Sequence, residues 1–191
     1  MIGSFRIIDE HIGEGLTMVQ AKPADTEAVA ALLIQTAEWL LSRGSTQWSG
    51  LLTGEDSHNT AGAILNGDVF VCKSGTDIAG MVILMRQPSE WDRRLWESKA
   101  YDGDGALYLH RLAINRDYTS LGLGSSIIKW CEDGVRFEGK DKIRLDCIAD
   151  NAKLNTYYSG NGYTYLGKTP DLVFLRKIYT IELILVFLTI D

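Results

Sequence analysis

Two glycines, Gly122 and Gly124, stand where an apolar run over 106–114 gives way to a helical period. Without side chains there, backbone N–H groups can approach an anion, and a helix N-terminus adds partial positive charge. Thr119, Ser120, Leu121, Gly122, Leu123, Gly124 and Ser125 therefore have the makings of a pyrophosphate cradle. Small residues at a helix start also occur purely for packing, and that reading stands beside the first. Further on, Asn151, Tyr158 and the pair Gly162–Tyr163 lie on a strand–helix–turn segment. His110, one of three histidines, sits in the run before the glycines. An imidazole that titrates near neutrality suits proton transfer, whereas a buried, hydrogen-bonded histidine is the alternative. Asp146 is a competing base, unless strand alternation sends it to the other face.

The elements that must position these residues alternate along the chain. Leu16 to Ala21 reads as a short strand. Pro23 and Asp25 then open a helix whose apolar positions, from Val29 to Leu41, follow a 3.6-residue period and stop at Gly44. A second, shorter helix is expected from Thr53 to Asn66–Gly67. Val69 to Lys73 and Ile78 to Met85 read as a hairpin. The stretch 86–105 has no clear period and holds Trp91, Trp96 and Tyr101; a connection that long is usually functional or carries order of its own. Ala106 to Ile114 is a strand, Gly122 to about Phe137 a helix, Ile143 to Ala149 a strand and Ala152 to Ser159 a short helix. Tyr163 to Lys168 and Leu172 to Ile178 form a final strand pair. Helices covering a mixed sheet are the expected architecture.

Composition sets the bounds. The 191 residues are 46% hydrophobic and 23% charged, as in a chain that folds around one core. The formal charge is −6 and no stretch is strongly basic, which argues against a nucleic-acid partner. Cys72, Cys131 and Cys147 are scattered without metal-ligand spacing, so no metal centre and no disulfide framework is expected, and a reducing compartment is. The first ten residues lack a secretory pattern, and the longest apolar run, Leu183 to Ile190, is far short of the roughly 20 residues a spanning helix needs. A cytoplasmic protein without a membrane partner follows as the expectation, monomeric or homodimeric.

Leu112-Ala113-Ile114, the Gly122-Leu123-Gly124 loop, and then Asn151, Tyr158, Gly162 and Tyr163 occur in one order and spacing. In these motifs the chain resembles the GCN5-related N-acetyltransferase (GNAT) superfamily. There a Leu-Ala-Val strand leads to an Arg/Gln-x-x-Gly-x-Gly/Ala loop, followed later by an Asn…Tyr-x-x-x-Gly-Phe helix and turn. The resemblance covers about residues 16–178 and implies an α/β (α+β) GNAT fold. Its mixed, mostly antiparallel central sheet would have six to seven strands flanked by helices, with 1–15 as an N-terminal extension and 179–191 as an apolar C-terminal one. Thr119 replaces the usual Arg or Gln, Arg116 the common Pro, and Ser120–Leu121 the frequent Gly-Gln or Gly-Lys. Thr119 removes a long side chain that bears on CoA affinity, while main-chain N–H groups do most of the pyrophosphate binding.

The implied activity is N-acetyl transfer from acetyl-CoA to a primary amine of a small molecule or protein, by direct attack in a ternary complex. Tyr158 takes the position that often protonates the departing thiolate, or else packs beneath the cofactor. His110 is the candidate base. Asn151 and Asn155 match positions that touch the pantetheine arm, Asn151 being equally suited to cap a helix. The backbone of Leu112, Ala113 and Ile114 would pair with the pantetheine amides. Gln47 and Trp48, in the loop 43–50, are candidates for contacting the acceptor. Trp39, Trp91 and Trp96 could add an aromatic wall, and Glu38 or Glu55 could hold an ammonium group, although packing or exposure accounts for these equally well. An acyl-CoA sensor without turnover is the alternative of a different class. A nucleotide-binding protein using the Gly122 loop is a third, but the loop lacks both the Gly-Lys-Ser/Thr ending and the Gly-x-Gly-x-x-Gly pattern.

The apolar segment 179–191 is β-prone and would invite association if left exposed, so it is expected to pack or to pair between subunits.

Overall fold

The computed structural model describes residues 5–148, 151–170 and 177–184. These fall into two compact units, one built from 7–84 and 111–134, the other from 5–6, 85–110 and the described residues from 135 onward.

In the first unit, strands β2 (His11–Gly13), β3 (Leu16–Gln20), β4 (Val69–Ser74) and β5 (Asp77–Met85) follow one another as antiparallel neighbours. Val69 opposes Ile83 and Val71 opposes Met81. The centre of this sheet is apolar on both faces: Phe70, Val71, Met81, Val82 and Ile83 are all fully buried. Helix α1 (Thr26–Ser42) buries Val29, Leu32, Leu33 and Ala37 on the stripe that its period describes. Helix α2 (Thr60–Asn66) starts later than the periodicity suggests. Residues 49–53 form a 3₁₀ turn instead, and Asn59 caps α2 by accepting from the Gly62 N–H. A capping side chain, not the apolar pattern, fixes that helix start.

Strand β6 (Ala106–Ile114) runs through the boundary between the units, its residues up to His110 belonging to the second and those from Arg111 to the first. Beyond it, Asn115 donates its N–H to Ala79 O at 2.9 Å. Gly80 is glycine for lack of room, since a Cβ there would sit 3.1 Å from Ala113 O and 2.9 Å from Ile127. Helix α4 (Leu123–Lys129) follows and continues as a wider π turn over Trp130–Gly134. The expected helix to Phe137 thus ends at Gly134. Val135 and Phe137 are buried and Arg136 exposed between them, the alternation of a strand, β7 (Val135–Phe137).

In the second unit, β8 (Lys142–Ile148) runs parallel to β6 and antiparallel to β10 (Lys177–Ile184), which in turn pairs antiparallel with β9 (Thr164–Pro170). A mixed, mostly antiparallel sheet is the result. Of the expected C-terminal segments, 171–176 and 185–191 lie outside the described residues; within them, 179–184 belongs to a strand with neighbours on both sides. The stretch without a period holds a helix, α3 (Glu90–Trp96), capped reciprocally by Ser89 and Asp92. Its Leu95 and Trp96 pack with Ala100, Ala106 and Tyr108. Helix α5 (Ala152–Gly160) follows β8.

Candidate functional site

In the first unit, β6 hands the chain through Asn115 to a 3₁₀ turn at 116–121 and then to Gly122. Gly122 has φ 64° and ψ 19°, the left-handed region, and nothing lies within 4 Å of where a Cβ would be. Any other residue would be strained there and would cover the turn. Thr119, Ser120, Leu121 and Gly122 are exposed, whereas Leu123 is buried and Gly124 and Ser125 are half-buried. The loop therefore offers an open backbone surface ahead of a helix start, which fits a diphosphate group. The Thr119 hydroxyl is occupied locally, donating to Arg116 O at 3.1 Å.

Upstream, Arg111 has φ 52° in the interior of β6, unusual for any residue but glycine. The kink breaks the alternation of faces, and every residue from Ala106 to Arg111 is buried. Leu112 and Ile114 are half-buried around a buried Ala113. The Arg111 guanidinium lies 4.9 Å from the Trp48 ring centroid, 3.7 Å from Asp56 Oδ1 and 3.3 Å from Ser57 Oγ. Burial and the hydrogen bonds from Thr60 and His58 oppose each other at Asp56, and with Arg111 the net effect is a carboxyl held below its ordinary range. Trp48 is half-buried with φ 66°, and Gln47 beside it donates its N–H to Ser45 Oγ. Glu38 and Glu55 are exposed. Trp39 stacks on Arg116, 4.2 Å from ring centroid to guanidinium carbon.

In the second unit, α5 presents Tyr158, only 8% exposed, edge-on to Tyr163 at 5.8 Å and to Tyr157 at 5.4 Å. Burial, with Cys147, Tyr157 and Asp146 nearby, pushes its phenol above the ordinary value. Asn151 caps α5, accepting from the Leu154 N–H at 3.1 Å. Asn155 Oδ1 accepts from the Cys147 thiol at 3.1 Å, and burial pushes that thiol up to about 12.

His110 and Asp146 come together by register. Ala106 opposes Lys142 and Tyr108 opposes Arg144, so two residues further His110 stands beside Asp146. One ligand atom from each of these, together with one from Asp92, all lie within 4.8 Å of one another. Alternation therefore does not separate the two candidate bases. His110 Nε2 is 3.1 Å from Asp92 Oδ2, with both side chains nearly fully buried. Burial raises the Asp92 carboxyl, but hydrogen bonds from His110 and Ser89 outweigh it and hold it below the ordinary range. Burial raises Asp146 despite its partial exposure, with Asp92 adding to the effect, while His110 and a hydrogen bond from Trp91 work against it.

A charge network secures the segment that carries Asp92. Asp104 accepts from the Tyr108 hydroxyl, from Arg144 Nη1 at 2.6 Å and from the Ala106 N–H at 2.8 Å. Arg144 also donates to Lys99 O and lies 5.0 Å from the Trp96 ring centroid. Trp96 is thus a packing residue, and Trp91, 37% exposed, supports Asp146. The sequence reading did not select Asp92, Arg111 or Asp56. The Ser89…Asp92 capping box was the one readable signal among them.

The strand, left-handed glycine turn and helix, and the Asn151-capped helix bearing a buried tyrosine, are parts of an α+β protein. The model of the acetyltransferase (GNAT) family matches residues 30–163, and the chain belongs to this family, whose members are acyltransferases. An uncharacterized N-acetyltransferase, YesJ of Bacillus subtilis, is 44% identical over 164 residues, covering 86% of this chain and 90% of its own. A GNAT-family acetyltransferase from Listeria monocytogenes is similar in structure, with TM-score 0.70 and 33% identity over 87% of this chain and 93% of that one. The yncA protein of Salmonella typhimurium, solved with acetyl-CoA, shares the fold at TM-score 0.60 and 15% identity, covering 89% and 94%. No described helix is long and apolar enough to cross a membrane.

Proposed function

We propose that this chain transfers the acetyl group of acetyl-CoA to a primary amine by direct attack. The observation that carries the reading is the open left-handed turn at Gly122, set between β6 and the first turn of α4. Backbone N–H groups of Gly122 to Ser125 would hold the diphosphate, and the edge of Leu112 to Ile114 the pantetheine amides. Acetyl-CoA supplies the activated thioester. Tyr158, a phenol and so protonated through the neutral range, would give its proton to the departing sulfur. His110 takes a proton from the acceptor ammonium, and Gln47 and Trp48 contact the acceptor.

Thermal-shift measurements with CoA, acetyl-CoA, ATP and NAD test the cofactor. Stabilisation by CoA species is expected, and a response to ATP or NAD alone would refute the assignment. Free-thiol release across an amine panel then tests turnover. Tight CoA binding with no thiol released for any amine would point to an acyl-CoA sensor.

A further inference from the structure

We infer that Arg111 selects the acceptor: its guanidinium binds the carboxylate of an amine that carries a carboxylate of its own, as amino acids do. The inference rests on the acetyltransferase reading and adds to it the class of acceptor and the residue that recognises it.

The Arg111 side chain is 5% exposed, yet its donors are largely unused. Nη2 donates to Ser57 Oγ at a long 3.3 Å, and among the described residues nothing accepts from the buried Nε–H. Trp48 offers a ring face at 4.9 Å but no acceptor oxygen. Asp56 does not fill the gap either. Its Oδ1 stands 3.7 Å from Nη2, beyond hydrogen-bond reach, and the loop takes both its oxygens. Oδ2 accepts from the Thr60 N–H at 2.6 Å and Oδ1 from the His58 N–H at 3.2 Å. Burial works against the Arg111 charge and Asp56 offsets this only in part, so the guanidinium is held below its ordinary value. A buried donor without a partner is costly to keep, and a guanidinium is a planar fork of such donors.

The backbone points the same way. Arg111 holds φ 52° and Trp48 φ 66°, and strain of this kind collects where a ligand is held. A carboxylate matches the guanidinium edge with two parallel acceptors. A phosphate would bring more negative charge beside Asp56, whose carboxyl is held below its ordinary range and is ionised. The same Asp56 favours the cationic end of an amino acid. Ser57 is exposed, and Trp48 and Asp56 are half-buried, so the guanidinium lies just beneath the loop surface. A bound carboxylate displaces the long Ser57 contact. Along β6, Arg111 directly precedes Leu112 to Ile114, the edge proposed for the pantetheine amides.

Paired acceptors test the inference. Each of a panel of α-, β- and γ-amino acids is compared with its amide and its decarboxylated amine at fixed acetyl-CoA, with thiol release as the readout. The unmodified chain should favour the carboxylate member by about 100-fold in kcat/KM for at least one set. Arg111→Lys keeps a cation beside Asp56 and loses the fork, so it should cut that preference at least about tenfold. The ratio within a set is what matters, because a merely structural loss lowers all members alike and leaves it intact.

Amides and decarboxylated amines used as well as every carboxylate by the unmodified chain would overturn the inference, and that comparison needs no variant to fold. A preference that survives in folded Arg111→Lys overturns it too. If no acceptor releases thiol, the transferase reading fails by itself, and titration calorimetry of the same sets into the full chain with CoA present still decides on Arg111. Binding that needs the carboxylate and is lost in Arg111→Lys upholds the anchor, and no difference within any set overturns it.

Discussion

The guanidinium of Arg111 lies 4.9 Å from the ring centroid of Trp48, and both residues hold left-handed backbones, at φ 52° and 66°. Each is strained where it stands, and the pair, with Asp56 at 3.7 Å, ties β6 to the loop over 43–58. Strain of about 1–3 kcal/mol per such residue persists only where the surroundings over-determine it.

Replacing Arg111 should therefore distinguish side chain from backbone. Arg111→Ala loses the cation–π contact and leaves Asp56 without its cation, a loss of about 1–3 kcal/mol in denaturant unfolding. Arg111→Gly loses the same contacts but relieves the left-handed strain, so it should be no less stable than Arg111→Ala. In an ordinary strand glycine would be the worse by about 0.5–1 kcal/mol. Both variants should raise the KM for the amine.

Tyr158→Phe keeps the edge-on contacts with Tyr157 and Tyr163 and removes only the hydroxyl. We expect kcat to fall about 10–100-fold with acetyl-CoA binding preserved, as measured by turnover and titration calorimetry. Unchanged turnover would exclude Tyr158 as the acid.

The loop allows changes in both directions. Gly122→Val puts a branched side chain at φ 64° in the open turn and should raise the acetyl-CoA KM at least about tenfold. Thr119→Arg restores the long cation that the family pattern carries at an exposed position, and should lower that KM, most clearly at low salt. An unaltered KM in both variants would remove the loop from cofactor binding.

Glu132 makes stability depend on pH. Burial, reinforced by Asp133 and opposed by Lys129, pushes its carboxyl up to about 7 from an ordinary 4.5. The folded chain then holds a proton that the unfolded chain has released. This group's penalty is absent below the unfolded value, grows as pH rises through about 4.5 to 7, and is constant above. Glu132→Gln should raise Tm at pH 8 and leave it unchanged near pH 4; equal Tm shifts at the two pH values would show that the carboxyl is not the cause.

Asp104 is the buried acceptor shared by Tyr108 and Arg144, and Asp104→Ala would take from the buried guanidinium its counter-ion. A loss of about 3–5 kcal/mol is expected by denaturant unfolding. Because the network holds the segment bearing Asp92, kcat should fall as well in protein that remains folded.

Local rules account for what was readable. Apolar periods in 29–41 and two apolar runs around the 74–77 turn show α1 and the β4–β5 hairpin, because each depends on neighbours a few residues apart. The Gly122 and Asn151–Tyr158 spacings show the family for the same reason. Where short signals competed, the boundaries moved: Asn59 starts α2, Gly134 stops α4, and Ser89 with Asp92 builds a helix in a stretch without any period.

The sequence alone determined the family, the larger helices and strands, and the candidate loop, tyrosine and histidine. Only the tertiary structure decided which acids meet His110. The parallel register of β6 on β8 sets Asp146 beside it, and α3 delivers Asp92 from eighteen residues away. The same holds for Arg111, whose left-handed turn inside a strand answers to Trp48 and Asp56. Such partners are chosen by strand register and by the burial of charge, which depend on residues distant in the chain and leave no periodic trace along it.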